Sequence, residues 1–218
     1  MTRSTMPINL DLYLVTDRDL SKGRSLDWVV EKAAKGGITI VQLREKDMET
    51  KDFIEEAKRI KKILEPYNIP LIINDRVDVA LAIGADGVHL GQNDMPYPMA
   101  RQILGNDSII GVSVESIKQA EEANQFDVDY IAISPVFKTP TKEELTQELG
   151  IIGVQKITGL SKHPSVGIGS IKPHNAESII KAGADGLAVV SAICSADDPE
   201  KAASELRAKV QKAKSLLE

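Results

Sequence analysis

The chain has 218 residues, of which 42% are hydrophobic, 27% charged and 4% aromatic, and its formal net charge is -5. This length allows one or two domains with a sizeable buried core, while the acidic balance gives no electrostatic footprint for nucleic acid or an anionic membrane. Cys194 is the only cysteine, which excludes an internal disulfide and a cysteine-based metal cluster, and with neither an apolar signal core nor a run of about 18 or more apolar residues a cytoplasmic enzyme is expected.

The first strand is predicted at 11–16 and the first helix around Val29–Ala34. The second strand, 38–42, is an apolar β-branched run that ends abruptly in polar and cationic residues. Side-chain alternation puts Gln42, Arg44 and Lys46 on one face. A strand buried on both sides has reason to finish this way where its end opens onto an anion, although a solvated strand end carrying charge for solubility would read the same. Glu45 points to the opposite face and reads as structural, or as the partner of a neighbouring cation.

A helix around Ile54–Leu64 leads to a strand at 71–73 that runs into Asn74 and Asp75. A helix at 77–83 then leads to a strand at 87–90 that runs into Gln92, Asn93 and Asp94. Adjacent strands would bring Asp75 and Asp94 to one rim. Two carboxylates with amides alongside suit a hard cation, and Mg²⁺ keeps waters and takes further ligands from substrate phosphates. The competing role for Asp75 is a pair with Arg76 or a cap on the following helix. His89, His163 and His174 lack metal-ligand spacing, and His89 sits in an apolar run where a hydrogen-bonded core role is expected.

Helices around Met99–Leu104, Ile117–Ala123, Ile151–Ile157, Ala176–Lys181 and Ala202–Leu217 alternate with strands at 109–112, 130–133, 165–168 and 187–190. Thr139-Pro140-Thr141-Lys142 offers hydroxyls, a rigid turn and an ammonium for phosphate. Gly167-Ile168-Gly169-Ser170 and Val189-Val190-Ser191, after the last two strands, are placed to supply backbone N–H groups to a monophosphate. The segments 79–88 and 178–187 echo each other, each a helix closed by glycine and a turn into a buried strand, and their glycines read as chain reversal at the opposite end of the fold. Strand starts roughly 25 residues apart suit βαβ units, and eight of them predict a single (β/α)8 TIM barrel of the α/β class over 1–218, with 1–7 a candidate disordered tail. A doubly wound sheet is the alternative.

No Ser-His-Asp set, Rossmann glycine fingerprint or Walker A sequence is present, so a polar rim without a nucleophile favours chemistry driven by stabilising a departing pyrophosphate. Taken in order, Leu12-Tyr13-Leu14-Val15-Thr16-Asp17, the run from Gln42 to Lys46, Ile73-Asn74-Asp75-Arg76-Val77-Asp78, the run from Gly87 to Gln92, Ile133-Ser134-Pro135-Val136-Phe137 with the Thr139–Lys142 loop, and Val190-Ser191 resemble the thiamine phosphate synthase family. The resemblance covers nearly the whole chain. It implies transfer of the hydroxymethylpyrimidine group from its pyrophosphate to a thiazole phosphate, carboxylated or not, by a dissociative, Mg²⁺-assisted path.

Carried onto this sequence, the resemblance implies that Gln42, Leu43, Arg44, Glu45, Lys46 and Asn74 hold the pyrimidine pyrophosphate, with Arg44 and Lys46 on its charge. Asp75 and Asp94 would bind Mg²⁺, and Ser113 would sit beside the pyrimidine. Thr139, Pro140 and Thr141 would meet the thiazole substrate, Lys142 the pyrophosphate, and Gly169, Ser170, Val190 and Ser191 the thiazole phosphate. Arg44, Lys46, Ser113 and Lys142 carry the catalytic expectation. Ser170 departs from the family, which usually has a second glycine there, and its Cβ restricts positive φ. The related thiazole tautomerase is the rival on the same barrel, but it has His where Ser134 stands and lacks the Thr139–Lys142 loop. A non-catalytic phosphate-binding protein is the other alternative. The expected partners are the two small substrates, with no nucleic acid and no membrane, and a homo-oligomer stays open.

Overall fold

A computed structural model describes residues 8–138 and 147–217. Eight parallel strands close into a barrel in the order β1 to β8: β1 Leu12–Val15, β2 Ile40–Leu43, β3 Leu71–Asn74, β4 Gly87–Leu90, β5 Ile109–Val114, β6 Tyr130–Ile133, β7 Ser165–Ile168 and β8 Gly186–Val189. The helices are α1 Leu26–Lys35, α2 Thr50–Leu64, α3 Val77–Ile83, α4 Tyr97–Leu104, α5 Ile117–Ala123, α6 Gly150–Leu160, α7 Ala176–Lys181, α8 Ser191–Cys194 and α9 Pro199–Ser215. This is the expected (β/α)8 barrel. Strand ends differ by one or two residues, as where β2 begins at Ile40 instead of Ile38 and β5 runs on to Val114 instead of Val112; α9 begins at Pro199 behind the Asp198 cap, and the one-turn α8 was not anticipated. Four residues carry too little periodicity to announce a helix.

Alternation along the strands builds two cores. Tyr13, Val15, Ile40, Ile72, Tyr130, Ala132, Val166 and Ala188 fill the barrel interior, while Leu12, Leu14, Val41, Leu43 and Val112 pack outward against the helices with Phe53, Ile60 and Leu206. Gly111 makes the interior possible, because a Cβ there would lie 2.0 Å from Cζ of Tyr130. No helix among the described residues is long and apolar enough to cross a membrane.

The floor of the barrel repeats one device on alternate strand pairs. The Leu12 N–H donates to Thr39 Oγ1 (3.1 Å), Leu71 N–H to Asp86 (2.8 Å), Ile110 N–H to Asp129 (2.7 Å) and Ser165 N–H to Asp185 (2.7 Å). In each case the accepting residue returns its own N–H to the same partner's carbonyl. Each time, a side-chain acceptor satisfies a backbone N–H at or next to the start of a strand. This explains the Asp of the internal echo, while Gly84 (φ 59°) and Gly183 (φ 100°) turn the chain as expected.

Candidate active site

The opposite ends of the strands surround a cavity of about 400 Å³. Gln42, Arg44, Lys46, Asn74, Asp75, Asp94, Ser113, Gly169, Ser170, Val190 and Ser191 all line it. Leu43 and Glu45 do not. Leu43 is fully buried in the outer core, and Glu45 turns away to take the Arg18 guanidinium at 2.9 Å, because the same alternation that brings Arg44 and Lys46 inward sends their neighbours outward. Thr139, Pro140, Thr141 and Lys142 lie outside the described residues.

The cationic arm is held from beneath. The Arg44 N–H donates to Thr16 Oγ1 at 3.0 Å, and its guanidinium stands 3.8 Å from Asp17. Gln42, buried at the barrel axis, donates from Nε2 to Tyr13 Oη at 2.8 Å. His89 is buried as expected, with Nδ1 3.0 Å from Tyr130 Oη and Nε2 2.9 Å from Ser113 Oγ.

Asp75 and Asp94 come together across β3 and β4. Burial, and then the Asp94 carboxyl beside it, raise the Asp75 carboxyl to about 6, while Lys46 and Asn74 pull the other way. The Asp75 backbone is left-handed (φ 61°) and its N–H donates to the His89 carbonyl at 2.9 Å. Asp94 accepts the Gly91 N–H at 2.6 Å. The capping alternative for Asp75 is not realised: α3 begins at Val77 behind Arg76, with no side-chain cap, and Arg76 pairs with Asp78 at 2.6 Å. Two carboxylates held together, with burial and each other's charge opposing ionisation of Asp75, form a donor set that fits a divalent cation. Among the described residues no group of three or more His, Cys, Asp and Glu suits a metal, so the remaining ligands would be water and phosphate, as Mg²⁺ prefers.

At the far side, Gly169 (φ 113°) and Ser170 (φ 49°) form a left-handed turn. The Ser170 hydroxyl donates to the Lys138 carbonyl at 2.6 Å, and its carbonyl accepts Asn175 Nδ2 at 3.1 Å, which holds a non-glycine residue in this conformation. Ser191 opens α8, and Lys172 Nζ lies 3.2 Å from its hydroxyl. Lys172 was missed in the sequence because a lysine in a loop reads as surface. Tyr13, Asp17, His89, Glu115 and Ser134 also line the cavity. Of these, Tyr13 and Asp17, inside the Leu12–Asp17 motif, His89, inside the Gly87–Gln92 run, and Ser134 lie in motifs read from the sequence, whereas Glu115 carried no signal.

A family model described as thiamine monophosphate synthase matches residues 12–193. The thiamine-phosphate synthase of Clostridium novyi (strain NT) is 48% identical over 201 residues, covering 92% of this chain and 98% of that protein. Its counterpart from Albidiferax ferrireducens is 50% identical over 198 residues, covering 91% and 90% respectively. Among solved structures, thiamine phosphate pyrophosphorylase from Pyrococcus furiosus superposes with a TM-score of 0.88 at 39% identity, covering 95% of this chain and 98% of that one. A 3-hexulose-6-phosphate synthase, at TM-score 0.70 and 18% identity over 92% of this chain and 99% of its own, shares the fold alone.

Proposed function

The chain belongs to the thiamine monophosphate synthase family and is a transferase that forms thiamine phosphate, and from that premise we propose how the barrel mouth divides the work. One observation carries the reading: a single cavity is lined both by Arg44 and Lys46 with the Asp75/Asp94 pair and by the Gly169-Ser170/Val190-Ser191 corner, two groupings that we read as separate anion seats. Two phosphorylated substrates need two such seats, placed so that their reacting ends meet between them.

In this proposal Arg44 and Lys46 grip the pyrophosphate of the pyrimidine substrate, whose ring reaches inward to Gln42, Asn74 and Ser113. Asp75 and Asp94 would hold Mg²⁺, which when bound neutralises charge on the leaving group. The carbon–oxygen bond to pyrophosphate breaks with its electron pair, leaving a cation stabilised by the pyrimidine. The thiazole nitrogen then supplies its lone pair to form the carbon–nitrogen bond. The thiazole phosphate rests on the N–H groups after β7 and β8, with Lys172 beside Ser191. No covalent nucleophile is required, and the one thiol does not offer itself: Cys194 is buried and its pKa is pushed up to about 11. Lys142 and the Thr139–Thr141 segment join the site as expectations from the family. Magnesium dependence and a cytoplasmic setting belong to the same proposal. Isothermal titration with each substrate, with and without Mg²⁺, tests it: the pyrimidine pyrophosphate should bind tightly only with the metal and the thiazole phosphate should not depend on it. Metal-independent binding of the pyrophosphate would contradict the division.

Proton and metal compete for the carboxylate pair. A carboxyl raised to about 6 is charged above that pH and protonated below it, so apparent Mg²⁺ affinity should be level above about pH 7 and weaken as pH falls through 6. Calorimetry near pH 6 in buffers of different ionisation enthalpy should show proton release on Mg²⁺ binding. No release would mean that Asp75 is already ionised there.

Ser170→Gly removes a Cβ from a left-handed position and also the hydroxyl bond to Lys138. Turnover should stay within about threefold, with the thiazole KM unchanged or lower. Ser170→Val should raise that KM, because a β-branched residue tolerates positive φ poorly. The effect must fall on the thiazole KM and spare the pyrimidine KM; equal changes in both would place Ser170 away from the phosphate.

A further inference from the structure

Beneath the cavity, a chain of polar side chains crosses the barrel interior. Gln42 Nε2 donates to Tyr13 Oη (2.8 Å), Tyr13 Oη lies 2.7 Å from Tyr130 Oη, Tyr130 Oη 3.0 Å from His89 Nδ1, and His89 Nε2 2.9 Å from Ser113 Oγ. All five residues are buried, with exposures from 0% to 7%. Tyr130 makes a T-shaped contact with the Tyr13 ring, at 5.7 Å between centroids, and stacks on His89 at 5.6 Å.

The amide nitrogen at one end is a donor with no lone pair to offer. Tyr13 therefore accepts there, and its own hydrogen goes to Tyr130. Tyr130, having accepted, donates to His89 Nδ1, which must be the unprotonated nitrogen. The imidazole hydrogen is then on Nε2 and points at Ser113 Oγ. Burial raises both phenol pKa values, so each tyrosine keeps the hydrogen this sequence needs. Ser113, already accepting from His89, has one hydrogen left, and the residue lines the cavity.

We propose that Gln42, Tyr13, Tyr130 and His89 form a one-way hydrogen-bond relay that holds His89 as the Nε2–H tautomer and presents Ser113 to the cavity as a hydrogen-bond donor. Resting on the reading that Ser113 meets the pyrimidine, the relay makes the site selective for a ring acceptor, a bare ring nitrogen, at that point. A ring carrying N–H there would face a donor and leave two hydrogens opposed, at the cost of a buried unsatisfied group. Tyr13, Tyr130 and His89 are thus positioning residues that act on substrate through Ser113. They also give Gly111 a functional reason, since a Cβ there would displace the Tyr130 phenol.

Nitrogen NMR of protein labelled at its three histidines, with His89→Gln to assign the resonance, reads the tautomer directly. In the unliganded protein at neutral pH, His89 should show a pyridine-type Nδ1 and a pyrrole-type Nε2. The reverse pattern, or an imidazolium, overturns the relay without need of any variant. Gln42→Glu, measured where the carboxylate is ionised, replaces the end donor by an acceptor and should exchange the two nitrogen types. It should also raise the pyrimidine KM by about tenfold or more, with the thiazole KM unchanged. Ser113→Ala should leave the tautomer as it is, because direction is imposed from the Gln42 end. A Gln42→Glu protein that keeps the original tautomer, or a Ser113→Ala protein that loses it, shows that direction comes from elsewhere. Adding the pyrimidine pyrophosphate to the wild-type protein should shift the His89 Nε2 resonance. An unmoved resonance with the tautomer as stated would remove the pyrimidine from Ser113 while leaving the relay intact.

Discussion

Removing either carboxylate of the Asp75/Asp94 pair is expected to abolish most turnover, at a cost on the order of 3 kcal/mol or more in transition-state stabilisation. Asp75→Asn is the cleaner variant at the first position, because Asn tolerates the left-handed backbone (φ 61°) that Ala would strain. Asp94→Ala loses in addition the acceptor of the Gly91 N–H, so Asp94→Asn should accompany it. Activity and stability should move in opposite directions at Asp75. Its folded-state pKa is raised above the unfolded value of 3.8 to about 6, so the ionised carboxylate destabilises the metal-free fold. That destabilisation is absent below the unfolded pKa, grows between the two values and is complete above about pH 6. The metal-free Asp75→Asn protein should therefore melt higher than wild type at neutral pH and no higher under acid conditions. Near-normal turnover in either Asn variant would remove the metal assignment, and a lower melting temperature at neutral pH would show that Asp75 serves the fold.

The second large effect belongs to Lys46. Lys46→Ala should lower kcat about tenfold to a hundredfold with both substrates saturating, since charge accumulates on pyrophosphate as its bond breaks and a cation there stabilises the transition state more than the bound substrate. Lys142→Ala should act in the same direction. A change confined to KM would mean that Lys46 binds ground and transition states alike, and the dissociative path would lose its support. Lys46 also faces Asp75 electrostatically. Its removal should raise the Asp75 pKa further and move the pH at which Mg²⁺ affinity weakens upward.

The barrel was legible because each strand is short, apolar and bounded by turn residues at regular intervals, so count and order survive errors of a residue or two at the ends. Arg44 and Lys46 were legible as inward-facing from alternation alone. The same rule excludes Leu43 and Glu45 from the cavity, although a motif written as a continuous run includes them. Ser170 was legible as an anomaly, and its left-handed backbone bears that out. What the sequence hid is long-range pairing. Tyr13 and Tyr130 touch across 117 positions, Lys172 meets Ser191 only because β7 and β8 are neighbours, and Asp86 and Asp185 hide their strand-tying role inside a helix-to-strand turn. None of these contacts leaves a periodic trace, since each depends on where the closed sheet puts the end of a strand.

Mass spectrometry of the reaction of the purified protein with hydroxymethylpyrimidine pyrophosphate, thiazole phosphate and Mg²⁺ tests the central claim most directly. The account predicts thiamine phosphate and pyrophosphate in equal amounts, lost together in Asp75→Asn and Asp94→Asn. Pyrophosphate release without thiamine phosphate, or unchanged substrates alongside normal binding of both, would contradict it.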